Sequence, residues 1–375
     1  MKQRDPREAQ VRQDVARRRG RLATIATTVL VCVAACSNPS DSGDGGATDS
    51  PPPVPTTTAT LTPSHYASTG PLDLPRFAGS KTPYLSGVWV GGRPNVTAWA
   101  GFGDWRKAPV DVVLGYNDYS SWDAMHSDGN LSLFSKFPGT LVYGVALVPA
   151  GGSLRDVAEG KRDDVWRATA NGLVKQGRKR SVVRLGLEAN GTWFPWGATA
   201  DTAEDFKAAF RRVAQILRQE GADPVVAFDI GCGVGLTGDD DPQAPLTKLY
   251  PGDDVVDVLG CDIYDDKHGG VGNPMAKGHV SKGPSLNDTL EFAKQHGKPL
   301  VVPEWGLDRN YGSGDNPTFI TNMYKFFDDN AEHIALEIYF NEGGGDIKSS
   351  LWEPNQNPKA AAEYARIWAA RGVTP

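Results

Sequence analysis

The sequence is poor in the residues that hold metals. Four cysteines and six histidines are scattered over 375 positions, and nowhere do they fall into the short ligand spacings of a zinc site. No metal and no cofactor is expected. Positive charge is not in excess either: the formal net charge is −6, which leaves no electrostatic footprint for nucleic acid. The N-terminal apolar stretch Leu22 to Val33 is about a dozen residues, too short to span a bilayer. A glycine-rich nucleotide loop is missing as well. Gly91-Gly92-Arg93-Pro94, after the first strand-like run, lacks the fingerprint and enters a proline. What is plentiful is tryptophan: ten residues, each able to serve as core or as a surface on which sugars stack.

The first 36 residues read as an export signal. Arg17-Arg18-Arg19-Gly20-Arg21 is a cationic start, Leu22 to Val33 an apolar middle, and Val33-Ala34-Ala35-Cys36 an end of small residues. Small residues before a cysteine resemble a bacterial lipobox, in which Cys36 is lipidated; an ordinary signal cut after Ala35 would leave the same cysteine. Residues 37–80, rich in Ser, Thr, Pro and Gly with Pro51-Pro52-Pro53 at their centre, have too little apolar surface to offset chain entropy. They are expected to form a dispensable, disordered tether, leaving 81–375 as one domain. Cys232 and Cys261 fall near the ends of neighbouring strands, and are read either as a disulfide of an oxidising compartment or as two buried thiols.

From residue 84 the chain alternates apolar runs with helical patterns. The runs are Tyr84–Gly91, Asp111–Tyr116, Leu141–Val148, Ser181–Glu188, Pro224–Gly231, Val255–Tyr264, Pro299–Trp305 and Ile334–Asn341. Leu154–Gln176, Ala203–Gln219, Leu286–Gln295, Thr318–Asn330 and Pro358–Ala370 read as helices; the first two connections are less plainly helical. Eight near-continuous apolar strands alternating with helices predict a parallel sheet covered on its outside, and within this length a closed (β/α)8 TIM barrel. An open doubly wound sheet is the competing topology.

In such a barrel the chemistry sits at the C-terminal ends of the strands. There the sequence places Glu188 and Asn190 after the fourth run, Asp262 and Tyr264 on the sixth, Glu304 and Trp305 on the seventh, and Tyr339 and Asn341 on the eighth. Side chains alternate along a strand. On the eighth, Leu336, Ile338 and Phe340 are expected to face the helices, with Glu337, Tyr339 and Asn341 facing the barrel interior. Arg184 shares a parity with Glu188 and should lie inside with a carboxylate partner, Glu337 or a rim acid. Two glutamates in one cavity suit acid/base and nucleophilic work on an acetal; the alternative is a buried ion network with Arg184.

Arg184-Leu-Gly-Leu-Glu188-Ala-Asn190-Gly191-Thr-Trp193-Phe194-Pro-Trp196-Gly197 is the most specific segment. It resembles the acid/base region of glycoside hydrolase family 26, the β-mannanase family, and the chain looks like a divergent member. The resemblance implies Glu188 as general acid/base and Glu304, in Val302-Pro303-Glu304-Trp305-Gly306, as nucleophile. It implies Tyr264 as the tyrosine that hydrogen-bonds the nucleophile, and Trp193 with Trp196 as aromatic wall of the sugar subsites. Leu187 stands where the family usually has histidine, which puts mannan specificity in question.

The resulting expectation is a retaining, lipid-anchored or secreted glycosidase, extracytoplasmic and monomeric, acting on β-linked polysaccharide and touching the membrane only through its lipid. Its carboxyl groups would stand about 5–5.5 Å apart, Glu188 with a raised pKa and Glu304 kept ionised by Tyr264. The competing reading is a carbohydrate-binding lipoprotein that kept the barrel and lost turnover.

Overall fold

The computed structural model describes residues 72–91, 95–265, 282–310, 312–345 and 347–372. The export signal with Cys36, and the tether up to residue 71, lie outside the described residues.

Short runs of β-branched and aliphatic residues form eight strands: β1 (Leu85–Trp89), β2 (Val112–Tyr116), β3 (Thr140–Val145), β4 (Val182–Leu185), β5 (Val225–Gly231), β6 (Val258–Asp265), β7 (Leu300–Leu307) and β8 (Ile334–Phe340). Each pairs in parallel with the next, and β8 pairs with β1, closing the barrel that the alternating pattern predicts. Nine helices are described around it: α1 (Val96–Arg106), α2 (Trp122–Ser127), α3 (Leu154–Ala158), α4 (Asp163–Lys175), α5 (Ala203–Gln219), α6 (Ala244–Leu249), α7 (Leu286–Gln295), α8 (Pro317–Asp329) and α9 (Pro358–Ala370). The two connections that read poorly as helices are helical, each started by a side-chain cap: Asn95 accepts from Ala98 N and Ser121 from Ala124 N. The single helix expected over Leu154–Gln176 is two, α3 and α4, with Gly160 at φ +84° between them.

Two apolar clusters sort the strand residues by parity. Leu85, Val112, Leu114, Val142, Val182, Val225, Val258 and Val301 pack together inside the barrel. Val113, Tyr143, Val183, Phe228, Leu259 and Val302 face the helices. The expectation for the eighth strand is corrected here. Leu336, Ile338 and Phe340 belong to the inner cluster, while Glu337 and Tyr339 point outward. A barrel of eight strands is a packed core rather than a pore, so its lower layers need apolar side chains. The polar ones can sit outside only because they find partners there: Glu337 accepts from Ser86 Oγ and Trp305 Nε1, and Tyr339 donates to Ser349 O at 2.6 Å.

The expected boundary at residue 80/81 also moves. Leu74 is 2 % exposed and joins the inner cluster beside Leu85 and Val112, closing the N-terminal end of the barrel. Phe77 N and Ser80 Oγ both donate to Asp111 Oδ1, just ahead of β2. Residues 72–80 are part of the folded domain through the buried Leu74 and Phe77 and the hydrogen bonds to Asp111.

Candidate active site

β4 ends early, at Leu185, and the chain then turns sharply. Gly186 has φ +55° and Glu188 φ +47°. For glutamate this left-handed backbone costs of order 1 kcal/mol and persists only where the surroundings impose it. They do so here: Glu188 N donates to Asp229 Oδ1 at 2.7 Å, and Ala189 N to Asp229 O at 3.1 Å. The turn delivers the Glu188 carboxyl, half-buried, to the C-terminal mouth of the barrel. Trp193 Nε1 donates to its Oε2 at 2.7 Å. Gly231, ending β5, lies beneath these two groups: a Cβ there would rest in ordinary contact, 3.6 Å from Glu188 Oε1 and from the Trp193 ring.

Glu304 arrives from β7. Its Oε1 accepts from Tyr116 Oη at 2.7 Å and from Arg184 Nη1 at 2.7 Å, and its Oε2 from Tyr264 Oη at 2.9 Å. Burial, with the Glu304 charge next in weight, pushes both phenols well above the ordinary tyrosine range, so they remain donors. Arg184, with no solvent contact, also donates through Nε to Asp229 Oδ2 at 2.6 Å and through Nη2 to Asp262 Oδ2. One cation thus holds three carboxylates, and Glu337 is not among its partners. Burial pushes the Asp262 carboxyl up; Arg184 opposes this, while the nearby Glu304 and Asp229 charges reinforce it.

Aromatic rings border the carboxylates on two sides. Trp89 and Phe340, ending β1 and β8, stack with centroids 4.1 Å apart, and Phe340 meets the Tyr264 ring edge-on at 5.8 Å. Phe194 is half-buried beside Trp193, stacked at 4.5 Å on Trp196 and meeting Tyr119 edge-on at 6.4 Å.

Of the residues nominated from sequence, the structure brings Glu188, Glu304, Trp193, Asp262 and Tyr264 together. Five others face elsewhere. Trp196 is fully buried and donates to Leu187 O at 2.8 Å, supporting Phe194 from behind. Both ends of the Asn190 carboxamide are used within the protein, by Gly231 N and O and by Val234 O. Trp305 and Tyr339 lie outside the barrel wall, rings at right angles with centroids 4.9 Å apart. Asn341 binds Leu351 N and both the N and O of Trp352, bracing the loop before α9. Tyr116 and Asp229 were missed. Each carried a signal: a polar pair, Tyr116-Asn117, at a strand end, and an acid in the apolar run Val225–Gly231. The structure also joins Cys232 to Cys261 as a disulfide between the end of β5 and β6.

A (β/α)8 barrel that gathers two glutamates, an arginine-held acid cluster and aromatic rings at its C-terminal mouth has the architecture of the barrel glycosidases. A sequence model of glycosyl hydrolase family 26 matches residues 169–275, the span that holds Glu188 and Tyr264. Over that span the chain resembles the family. It is 26 % identical over 306 residues to Endoglucanase H of Acetivibrio thermocellus, covering 77 % of this chain and 31 % of that one. It is 31 % identical over 171 residues to a mannan endo-1,4-beta-mannosidase of Bifidobacterium adolescentis, covering 42 % of this chain and 16 % of that one. The chain thus spans less than a third of either relative's length. In fold it is similar to a modular endo-beta-1,4-mannanase from Cellulomonas fimi, with TM-score 0.53, 18 % identity and coverage of 82 % and 70 % of the two chains.

Proposed function

We propose that this protein is a retaining glycoside hydrolase acting on β-1,4-mannan or a related β-glycan. The observation that carries the reading is the pairing at the barrel mouth. Glu304 is fixed by three donors, and Glu188 is held across from that acid cluster by Trp193 and a left-handed backbone. Glu304 attacks the anomeric carbon and forms a glycosyl ester as the glycosidic C–O bond breaks. Glu188 gives its proton to the departing oxygen. It then takes a proton from water, whose oxygen attacks the same carbon and frees Glu304. Tyr116, Tyr264 and Arg184 hold the nucleophile in place, and the half-buried Trp193 and Phe194 offer apolar faces to sugar rings. The mannan and glucan preferences named for the two relatives set the substrate panel, and Leu187 is the residue to watch in choosing between them.

The test uses a panel of β-glycans and aryl β-glycosides. Glu304→Ala should abolish turnover on every substrate. Glu188→Ala should retain the first step on an aryl glycoside with a good leaving group, accumulate glycosyl-enzyme, and recover turnover with azide as a β-glycosyl azide. An α-azide product would overturn the assignment of the nucleophile. A wild type that binds these glycans and cleaves none would turn the reading into that of a binding protein on the same barrel.

The same reading places the enzyme outside the cytoplasm as a monomer, tethered through a lipid on Cys36. Replacing residues 1–71 with a cleavable export signal should move it from the membrane pellet to the soluble fraction; retention in the pellet would refute the anchor.

A further inference from the structure

Glu337 sits in the middle of β8 with no solvent contact, and the proposed mechanism does not use it. Its Oε2 accepts from Trp305 Nε1 at 2.5 Å and its Oε1 from Ser86 Oγ. Ser86 Oγ in turn accepts from Arg106 Nη1 at 2.8 Å. Indole and guanidinium groups only donate, so the serine proton goes to Glu337 and both carboxyl oxygens are acceptors. The carboxyl therefore bridges the outer face of the barrel from β7, across β8, to β1. Burial pushes it up to about 7, against the pull of the Ser86 and Trp305 hydrogen bonds and the Arg106 charge. A buried carboxyl is an expensive way to fill space, and a well-packed apolar side chain would be cheaper.

The irregularity of β7 shows what the carboxyl holds. Val302 pairs with Glu337 and Trp305 with Tyr339, so two β7 residues, Pro303 and Glu304, stand opposite Ile338 alone. The pairing with β6 slips by one residue over the same stretch. Pro303 has no N–H for the ladder, which suits a bulge. Val301 points inward, so strict alternation would turn Glu304 outward and Trp305 inward. The bulge reverses this: Glu304 enters the mouth, and the Trp305 indole goes to the helix side, where Glu337 receives its N–H.

We propose that Glu337 is a positioning residue for the reaction. By holding the Trp305 indole outside the barrel, it fixes the β7 bulge that aims Glu304 at the substrate. The proposal rests on the reading of Glu304 as nucleophile.

Glu337→Gln is nearly isosteric but cannot accept from both Trp305 and Ser86 with one oxygen. Displacement of Glu304 impairs attack rather than protonation. The variant should therefore lose kcat on the order of 10- to 100-fold while KM stays within about threefold, on good and poor leaving groups alike and without rescue by azide. Its crystal structure should show the Tyr116–Glu304 and Tyr264–Glu304 contacts lengthened from 2.7 and 2.9 Å. A lowered Tm with wild-type kcat would make Glu337 a stability residue only and overturn the proposal. If Glu337→Gln does not fold, Trp305→Phe removes the donor from the other side and keeps a ring; it should reproduce the same leaving-group-independent loss, and wild-type kcat there would equally overturn it. A wild type inactive on all glycosides would sink the functional reading instead. The crystal structure of either variant would then decide the positioning role, an unmoved Glu304 refuting it.

Discussion

Arg184 shows how strongly single residues are committed in this barrel. It touches no solvent and faces Asp229, Asp262 and Glu304. A buried ion network of this kind is poor at raising stability but costly to break, because removing one partner strands the others in a medium that cannot solvate them. Arg184→Met would leave three facing carboxyls without their cation. Unfolding in urea should show a loss of about 3–5 kcal/mol. A loss below about 1 kcal/mol would refute the buried ion network. The parity of Arg184 and the need for an acid beside it were readable from the sequence. Which acids answer was not, because Asp229, Asp262 and Glu304 converge from β5, β6 and β7 and their separations along the chain hold no trace of this.

At the scale of elements, the rim at β5 and β6 is held by two devices. Asn190 spans from the loop after β4 to Gly231 and Val234. The Cys232–Cys261 disulfide, at a sequence separation of 29, joins the end of β5 to β6 one residue before Asp262. Cross-linking a loop of that length stabilises mainly by restricting the unfolded chain, by about 3–4 kcal/mol in the loop-entropy description. A Cys232→Ala/Cys261→Ala double variant should lose that much in chemical denaturation and become indifferent to reductant. Unchanged stability in oxidised and reduced wild type would show that the bond is not formed in solution. β7 makes a different point at the same scale. Its apolar run was evident, but the bulge at Pro303-Glu304 was not, although proline within a strand is the local mark of an interrupted ladder.

For the whole molecule, the closed barrel needs both ends covered. The mouth is lined by Glu188, the acid cluster around Arg184 and aromatic rings, and the opposite end is closed by Leu74 from the segment before β1. That segment also supplies Phe77 N and Ser80 Oγ to the buried Asp111, whose carboxyl burial pushes up while these two donors draw it back. A chain beginning at Leu72 should match the full-length Tm and activity on soluble substrate. One beginning at Lys81 should lose roughly 1.5–3 kcal/mol for Leu74 alone, and more for the donors taken from Asp111. Equal Tm values for the two truncations would show that the plug contributes nothing.

The alternation of eight apolar runs with helical patterns determined the barrel, because each run is buried on both faces and each helix on one, a pattern that short-range periodicity records directly. Acids at the strand ends marked the mouth where Glu188, Asp262 and Glu304 gather, and the segment from Arg184 to Gly197 carried the resemblance to family 26. Facing was decided only by the tertiary structure. Whether Glu337 or Leu336 looks inward depends on partners from β1, β7 and α1. Whether Glu304 or Trp305 does depends on one extra residue in β7. Alternation fixes which side chains share a face but not which face is inside, and a single bulge exchanges the two.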